Sequence, residues 1–249
     1  MKFDFKLSSD KQRLPPMGLI VLQVDETIET EFRQAFNDSQ DQLFVTRIPS
    51  GLEVTAKQLS NMEGNIKAAA NLLPQSREYS VVGYGCTSAS AIIGSEIISD
   101  LIKSGCSVKN VTNPLLAATE YAKHLGVTKL ALLSPYIEEV NTPLRKAFEN
   151  SGLSIEIFGT FGEEKEEKVA RISEISTTKA AISLGQNLSV EAVFISCTNL
   201  RTFGCLDEIS KQIDKPVFSS NQSLAWHMKK LSSELSLIHI SEPTRRPII

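Results

Sequence analysis

Cysteine is scarce in this chain: four among 249 residues, at Cys86, Cys106, Cys197 and Cys205. That is too few for a disulfide scaffold. No two form a C-x-x-C pair, and the three histidines, His124, His227 and His239, are scattered and beside none of them, which argues against a zinc site. Apolar runs are short, and none approaches the ~20 residues that cross a bilayer. The start, Met-Lys-Phe-Asp-Phe-Lys, lacks the apolar segment of a secretory signal, so a cytoplasmic location is expected. Net charge is only −3, without a basic stripe, which disfavours nucleic acid and membranes as partners. Neither G-x-G-x-x-G nor G-K-[ST] occurs, so no dinucleotide or P-loop site is expected.

What is present is an α/β pattern, in a chain with the 41% hydrophobic and 22% charged residues of an ordinary globular protein. Short apolar runs read as strands at Leu19–Leu22, Leu43–Ile48, Ser80–Tyr84, Leu130–Leu133, Ile155–Phe158, Ala192–Ser196 and Pro216–Ser219. Amphipathic stretches alternate with them, as βα units around mostly parallel sheets require. One helix is expected from about Thr55 to Leu73, another to carry Ile93, Ile97 and Leu101 on one face, and a third around Ala117–His124, ended by Gly126. The charged run Glu163–Lys168 reads as the solvated start of a helix.

The pattern restarts near Pro114. Leu19 and Leu130 stand 111 residues apart, and so do Cys86 and Cys197. The same shift lays the strand at Leu43–Ile48 over Ile155–Phe158, in position only, since Val45 falls on Glu156. Phe32–Phe36 (FRQAF) echoes Leu144–Phe148 (LRKAF) one residue out of register. A period this long is no solenoid; it marks a duplicated unit with pseudo-twofold symmetry.

Both repeated cysteines follow a strand, in V-V-G-Y-G-C-T-S and V-F-I-S-C-T-N, and each is expected to stand just before a helix. Ligands of open α/β sheets collect beyond the carboxyl ends of strands, and a helix start there favours anions and the thiolate. Thr87, Ser88, Thr198 and Asn199 add short donors that could hold a carboxylate. Cys86 and Cys197 therefore read as reactive rather than as apolar filler, while Cys106 and Cys205, lacking this context, read as structural. Two facing thiols suit proton transfer on opposite faces of a substrate carbon, or covalent addition of one thiolate to an activated double bond; the residues alone do not choose. The 111 shift also relates Asp25 to Tyr136. Asp25 fits both a helix cap and a partner for a thiol or an ammonium. Tyr136 fits both packing and donation to a substrate oxygen.

Five segments carry a resemblance to a known family: Gly18–Glu29 (GLIVLQVDETIE), Gly83–Ser90 (GYGCTSAS), Ser134–Asn141 (SPYIEEVN), Ser196–Thr202 (SCTNLRT) and Ser219–His227 (SSNQSLAWH). With them the chain, over about residues 15 to 230, resembles the aspartate/glutamate racemase superfamily, in the branch of maleate cis-trans isomerase, arylmalonate decarboxylase and the ectoine-utilization racemase-like proteins. The resemblance implies two pseudo-symmetric Rossmann-like domains with the active site in the cleft between them, no metal, nucleotide or pyridoxal phosphate, and a homodimer or larger assembly. It implies that Cys86 and Cys197 act as acid and base on opposite faces in a racemase, or that Cys86 is the nucleophile of a maleate-type isomerase. The decarboxylase has glycine at the first cysteine position, so Cys86 argues against simple decarboxylation. Thr87, Ser88 and Tyr136 match carboxylate-holding positions.

Asp25 departs from the pattern, since maleate isomerase carries a carboxylate-binding asparagine there. An anion at that place repels a second carboxylate and welcomes an amine. The expected function is thus a cofactor-independent isomerase, a racemase or epimerase at the α-carbon of a small amino- or amide-bearing carboxylate. Its alternatives are a maleate-type cis-trans isomerase, a decarboxylase of malonate-like acids, and a non-catalytic small-ligand-binding protein. The expected halves are residues 1–114 with about 215–231, carrying Cys86, and residues 115–214, carrying Cys197. Residues 232–249 read as a flexible tail outside the family pattern, ending in a segment that resembles translated vector or adapter sequence.

Overall fold

The computed structural model describes residues 1–7, 14–36 and 42–240, the side chains of 234–240 excepted. The first half runs β1 (Met17–Leu22), α1 (Ile28–Ala35), β2 (Leu43–Ile48), α2 (Ala56–Asn61), α3 (Glu63–Asn71), β3 (Tyr79–Gly85), α4 (Thr87–Ile93), α5 (Ser95–Lys103) and β4 (Val108–Thr112). The second runs α6 (Pro114–Leu125), β5 (Lys129–Ser134), α7 (Glu138–Asn150), β6 (Ser154–Thr160), α8 (Glu166–Val169), α9 (Glu174–Gly185), β7 (Ala192–Ile195), α10 (Leu206–Ile213) and β8 (Val217–Ser219), before α11 (Ser220–Ile240).

The strands form two four-stranded sheets, ordered β2-β1-β3-β4 and β6-β5-β7-β8, and every pairing is parallel. The two orders are the same, so the duplication read from the 111-residue shift is a duplication of topology. β1, β3 and β7 are buried along their whole length, which is why they read as unbroken apolar runs: helices cover both faces of a parallel sheet. Val45 tolerates a polar counterpart at Glu156 because its strand lies at a sheet edge, where Val45 is 41% exposed. The fold is the α/β class expected, with equivalent βα units on both sides.

Several elements differ from the sequence reading. The helix expected to present Ile93, Ile97 and Leu101 on one face is two helices, α4 and α5, parted at Gly94 with φ +96°. The break resets the helical phase, so Ile98 and Ile102 are buried and Ile97 is exposed. β4, half-buried and polar in V-K-N-V-T, carries too little apolar signal to announce itself. By contrast α6 has strong punctuation: Asn113 accepts the Leu116 N–H at 3.0 Å, Pro114 stands in the first turn, and Gly126 closes the helix in the left-handed region.

Within the segment at about 215–231, β8 extends the second sheet, while α11 packs over β3, α1 and α6. α11 continues through 232–240, nine residues read from the sequence as tail; 241–249 lie outside the described residues. The halves share one apolar cluster, in which Tyr84, Ala89 and Ile93 lie with Leu133, Tyr136 and Val140. Polar groups fasten them as well. Glu31 of α1 is buried and accepts the Thr202 N–H (2.6 Å) and the Phe203 N–H (2.9 Å) from the second half, and the Asn221 Nδ2–H (2.7 Å) from α11. Among the described residues no helix is long and apolar enough to cross a membrane.

Candidate active site

β3 delivers Cys86 to the seam between the halves. Its last residue, Gly85, has no room for a side chain: a Cβ there would stand 2.9 Å from Ile28 Cδ1 and 3.2 Å from the Ile20 carbonyl. Cys86 then caps α4, its Sγ accepting the Ala89 N–H at 3.4 Å. The Thr87 hydroxyl bonds the Ser220 hydroxyl (2.8 Å), whereas Ser88 Oγ is buried with no partner among the described residues.

Cys197 is held differently. No helix follows it directly; residues 198–205 run as turns and irregular backbone before α10 begins, which corrects the expectation of a helix start at both cysteines. Its φ is +118°, a region costly for a residue with a Cβ, by about 1–3 kcal/mol. Neighbours fix that strained turn. The Cys197 N–H donates to Ser220 Oγ (3.0 Å), Cys197 Sγ accepts the Asn199 N–H (3.3 Å), and Thr198 Oγ1 donates to the Gly85 carbonyl (3.2 Å). Ser220 thus touches both cysteine loops, through Thr87 and through the Cys197 amide.

The Cys197 sulfur is also 3.0 Å from the Tyr136 hydroxyl, which donates to Glu166 Oε1 at 2.9 Å. With the phenol proton committed to Glu166, the thiol is the donor of the first pair. Asn199 Nδ2 donates to Glu166 Oε2 (2.8 Å), and Asn199 Oδ1 accepts the Glu26 N–H (2.8 Å). Glu166 is 4% exposed, so the solvated reading of the Glu163–Lys168 run fails at this residue: two distant segments supply its partners. Asp25 unites its two expected roles. Oδ1 caps α1 by accepting the Thr27 and Ile28 N–H groups, both at 2.8 Å, while Oδ2 is buried with no partner among the described residues.

Burial dominates the electrostatics. It pushes the Cys86 thiol up to about 12, against the Ala89 N–H that favours the thiolate; the carboxyls of Glu166 and Asp25 push the same way as burial. Cys197 is driven well above the ordinary thiol value, again first by burial and then by Glu166. The expected lowering by helix starts is thus overturned: desolvation of a sulfur anion outweighs the backbone N–H groups offered to it. Burial also raises Asp25 and Glu166, although hydrogen bonds to each oppose it. Both thiols therefore rest protonated, in the field of the same two carboxyl groups.

A cavity of about 370 Å³ opens beside this cluster, walled by Gln23, Val24, Glu26 and Leu52 to Glu53 from one half and by Lys165 to Glu167 from the other. Glu166 belongs to its wall, and Cys197 follows two hydrogen bonds further in. The rims are joined: the Val54 N–H donates to the Glu164 carbonyl (2.8 Å) and the Glu166 N–H to the Leu52 carbonyl (3.2 Å). No cluster of three potential metal ligands occurs among the described residues.

Residues 18–237 match the family model of arylmalonate decarboxylase. The chain belongs to the arylmalonate decarboxylase family. Its fold agrees with solved members of the same branch. A cysteine-to-alanine variant of the maleate isomerase of Pseudomonas putida S16, with maleate, superposes with a TM-score of 0.77 at 18% identity, covering 94% of this chain and 95% of that one. A variant of the Nocardia farcinica maleate cis-trans isomerase, with a covalently bound succinylcysteine intermediate, gives 0.77 at 20% identity over 88% and 93%. A doubly substituted arylmalonate decarboxylase in its liganded form gives 0.76 at 20% over 88% and 92%. No curated protein matches by sequence.

In this family member, Cys86, Thr87, Ser88, Asp25, Tyr136, Cys197, Thr198 and Asn199 are all buried. Hydrogen bonds link Thr87 to the Cys197 amide through Ser220, and Cys197 to Tyr136 and Asn199, while Cys86 and Asp25 bond their own turns and Ser88 Oγ bonds nothing among the described residues. Cys106 and Cys205 bond the backbone carbonyls of their own turns, Ile102 and Thr202. Sequence reasoning passed over Glu166 and Ser220. Ser220 lay inside a quoted motif, S-S-N-Q-S, without a role; for Glu166 there was no signal beyond a charged run.

Proposed function

We propose that the protein is a cofactor-independent isomerase that moves a proton at the α-carbon of a small amino- or amide-bearing carboxylate, with Cys86 and Cys197 as the acid–base pair. The observation that carries this reading is the pair of thiols at equivalent strand ends of two halves with the same sheet order, their loops joined by Ser220 through the Thr87 hydroxyl and the Cys197 amide. One thiol, once deprotonated, takes the α-proton; the other delivers its own to the opposite face, and the carbon's charge is spread into the substrate carboxylate. Ser88 Oγ, buried and without a partner among the described residues, is a donor for that carboxylate. Tyr136 keeps Cys197 oriented and, through Glu166, tied to the second half's loops.

Deuterium wash-in tests this. In heavy water, a screen of small chiral amino and hydroxy acids by NMR should reveal a substrate whose α-hydrogen exchanges, and Cys86→Ala or Cys197→Ala should each abolish the exchange. Exchange that survives both substitutions removes the thiols from the mechanism. A second reading, maleate-type cis-trans isomerisation, is favoured by the similarity to a structure holding a succinylcysteine intermediate. It predicts turnover of maleate without wash-in and a mass adduct on Cys86. Decarboxylation, which the family's name suggests, would show as carbon dioxide release from malonate-like acids.

A further inference from the structure

The two carboxyl groups beside the thiols are not accounted for by proton transfer. Asp25 is 3% exposed; one oxygen caps α1, the other makes no hydrogen bond among the described residues, and the Thr198 side chain and the Arg47 guanidinium act on the carboxyl against burial. Glu166 is 4% exposed, with one neutral donor on each oxygen. Asp25 acts electrostatically on Glu166, and both carboxyl groups act on the two sulfurs. Asn199 holds them in one frame, bonding the Glu26 amide next to Asp25 on one side and Glu166 on the other. The way in is acidic too. Glu53, Glu166 and Glu167 wall the adjoining cavity against Lys165, while the fourth acid, Glu26, is paired with Arg171 at 2.9 Å.

We infer that Asp25 and Glu166 form the seat of a cationic nitrogen, so that the substrate is a small zwitterion bearing an ammonium as well as a carboxylate, and that Glu166 is a specificity-determining residue. The inference rests on the cluster being the substrate site, and narrows the amino- or amide-bearing class to the amine. A second carboxylate would be set against two buried carboxyl groups and an acidic approach, which repel it. An amide could satisfy the free Asp25 oxygen with one N–H but would add no charge: Asp25 has only Arg47, bonded to its carbonyl, and Glu166 has only neutral donors. An ammonium supplies both the missing donor and the missing charge. It also sets a positive charge beside the two thiols, whose leading charged influences are the carboxyl groups of Glu166 and Asp25, easing the loss of a proton from one sulfur.

Matched probes test it without any need for turnover. β-Alanine and 4-aminobutyrate carry an ammonium where malonate and succinate carry a second carboxylate, and succinamate carries a neutral amide. In calorimetric titrations near pH 7, the two ammonium acids should bind about tenfold or more tightly than the diacids, a gap of roughly 1.4 kcal/mol, with succinamate between. Asp25→Asn and Glu166→Gln should each narrow that ratio, and the double variant should favour the diacids. Because Asp25 also caps α1, the Glu166→Gln result, on a residue outside that cap, is the cleaner one. Diacids that bind the native protein as well as the ammonium acids, a ratio unmoved by Glu166→Gln, or no binding of either ammonium acid at millimolar concentration would each overturn the inference. Failure of the isomerase reading appears elsewhere, as absent wash-in, and leaves the binding ratio intact.

Discussion

At the residue scale the behaviour of the thiols is set by what surrounds them more than by where they stand on the sheet. Cys86 has the helix start that commonly activates a thiol, yet burial and two carboxyl groups hold it up at about 12. Cys197 has no helix behind it and is raised as well. Iodoacetamide labelling of the free protein should therefore be slow at both residues near neutral pH and gain speed only above the ordinary thiol value of 9.0. Glu166→Gln removes a negative neighbour of both sulfurs, so it should move that gain to lower pH. Mass spectrometry of timed digests reads the two sites separately, with Cys106 and Cys205 as internal controls. Unchanged pH profiles would mean that Glu166 does not act on the thiols. The sequence displayed Cys86, Cys197, Asp25 and Tyr136 because their spacing repeats at 111 residues. It hid Glu166, whose burial depends on Tyr136 and Asn199, 30 and 33 positions away along the chain.

At the element scale the strands were legible and the breaks between helices were not. A parallel strand covered on both faces must be apolar throughout, so β1, β3, β5 and β7 stand out in the sequence. The split between α4 and α5 turns on one left-handed glycine, Gly94, and the periodic isoleucines around it suggest a single helix. The turns after Cys197 read like the residues after Cys86, T-N against T-S; what separates them is the positive φ of Cys197, which a tertiary bond to Ser220 and a local one from Asn199 hold. Gly85 shows how closely the elements meet at the site. In Gly85→Ala the new methyl would press on the Ile20 carbonyl, part of the rigid β1 backbone, as well as on Ile28. Such overpacking should cost about 1–3 kcal/mol, seen as a lower urea midpoint with an unchanged slope. Since β3 carries Cys86 directly after this residue, turnover should fall as well. A fully stable Gly85→Ala protein would show that the strands have room to part.

At the scale of the whole molecule, two halves with the same sheet order meet through a polar seam that is rich in buried carboxyl groups. Asp25, Glu31 and Glu166 are each raised from the ordinary carboxyl value, each time first by burial. A raised value means that the folded chain binds protons more readily than the unfolded one at these positions. Their contribution is then fully present below the ordinary values of 3.8 and 4.5 and is lost as pH rises through the raised ones. Surface carboxylates such as the half-buried Glu163 and the exposed Glu191 are lowered by backbone N–H groups and act with the opposite sign, so the native curve alone mixes both. Comparison with the Asp25→Asn, Glu166→Gln double variant removes the shared part. Urea unfolding of the two proteins from pH 4 to pH 8 should show the native chain losing ground to the variant as pH rises, and a difference constant across that range would sink the expectation. A saturating ammonium acid should reverse the trend in the native protein alone, because a bound cation favours the ionised carboxyl groups that the empty site disfavours.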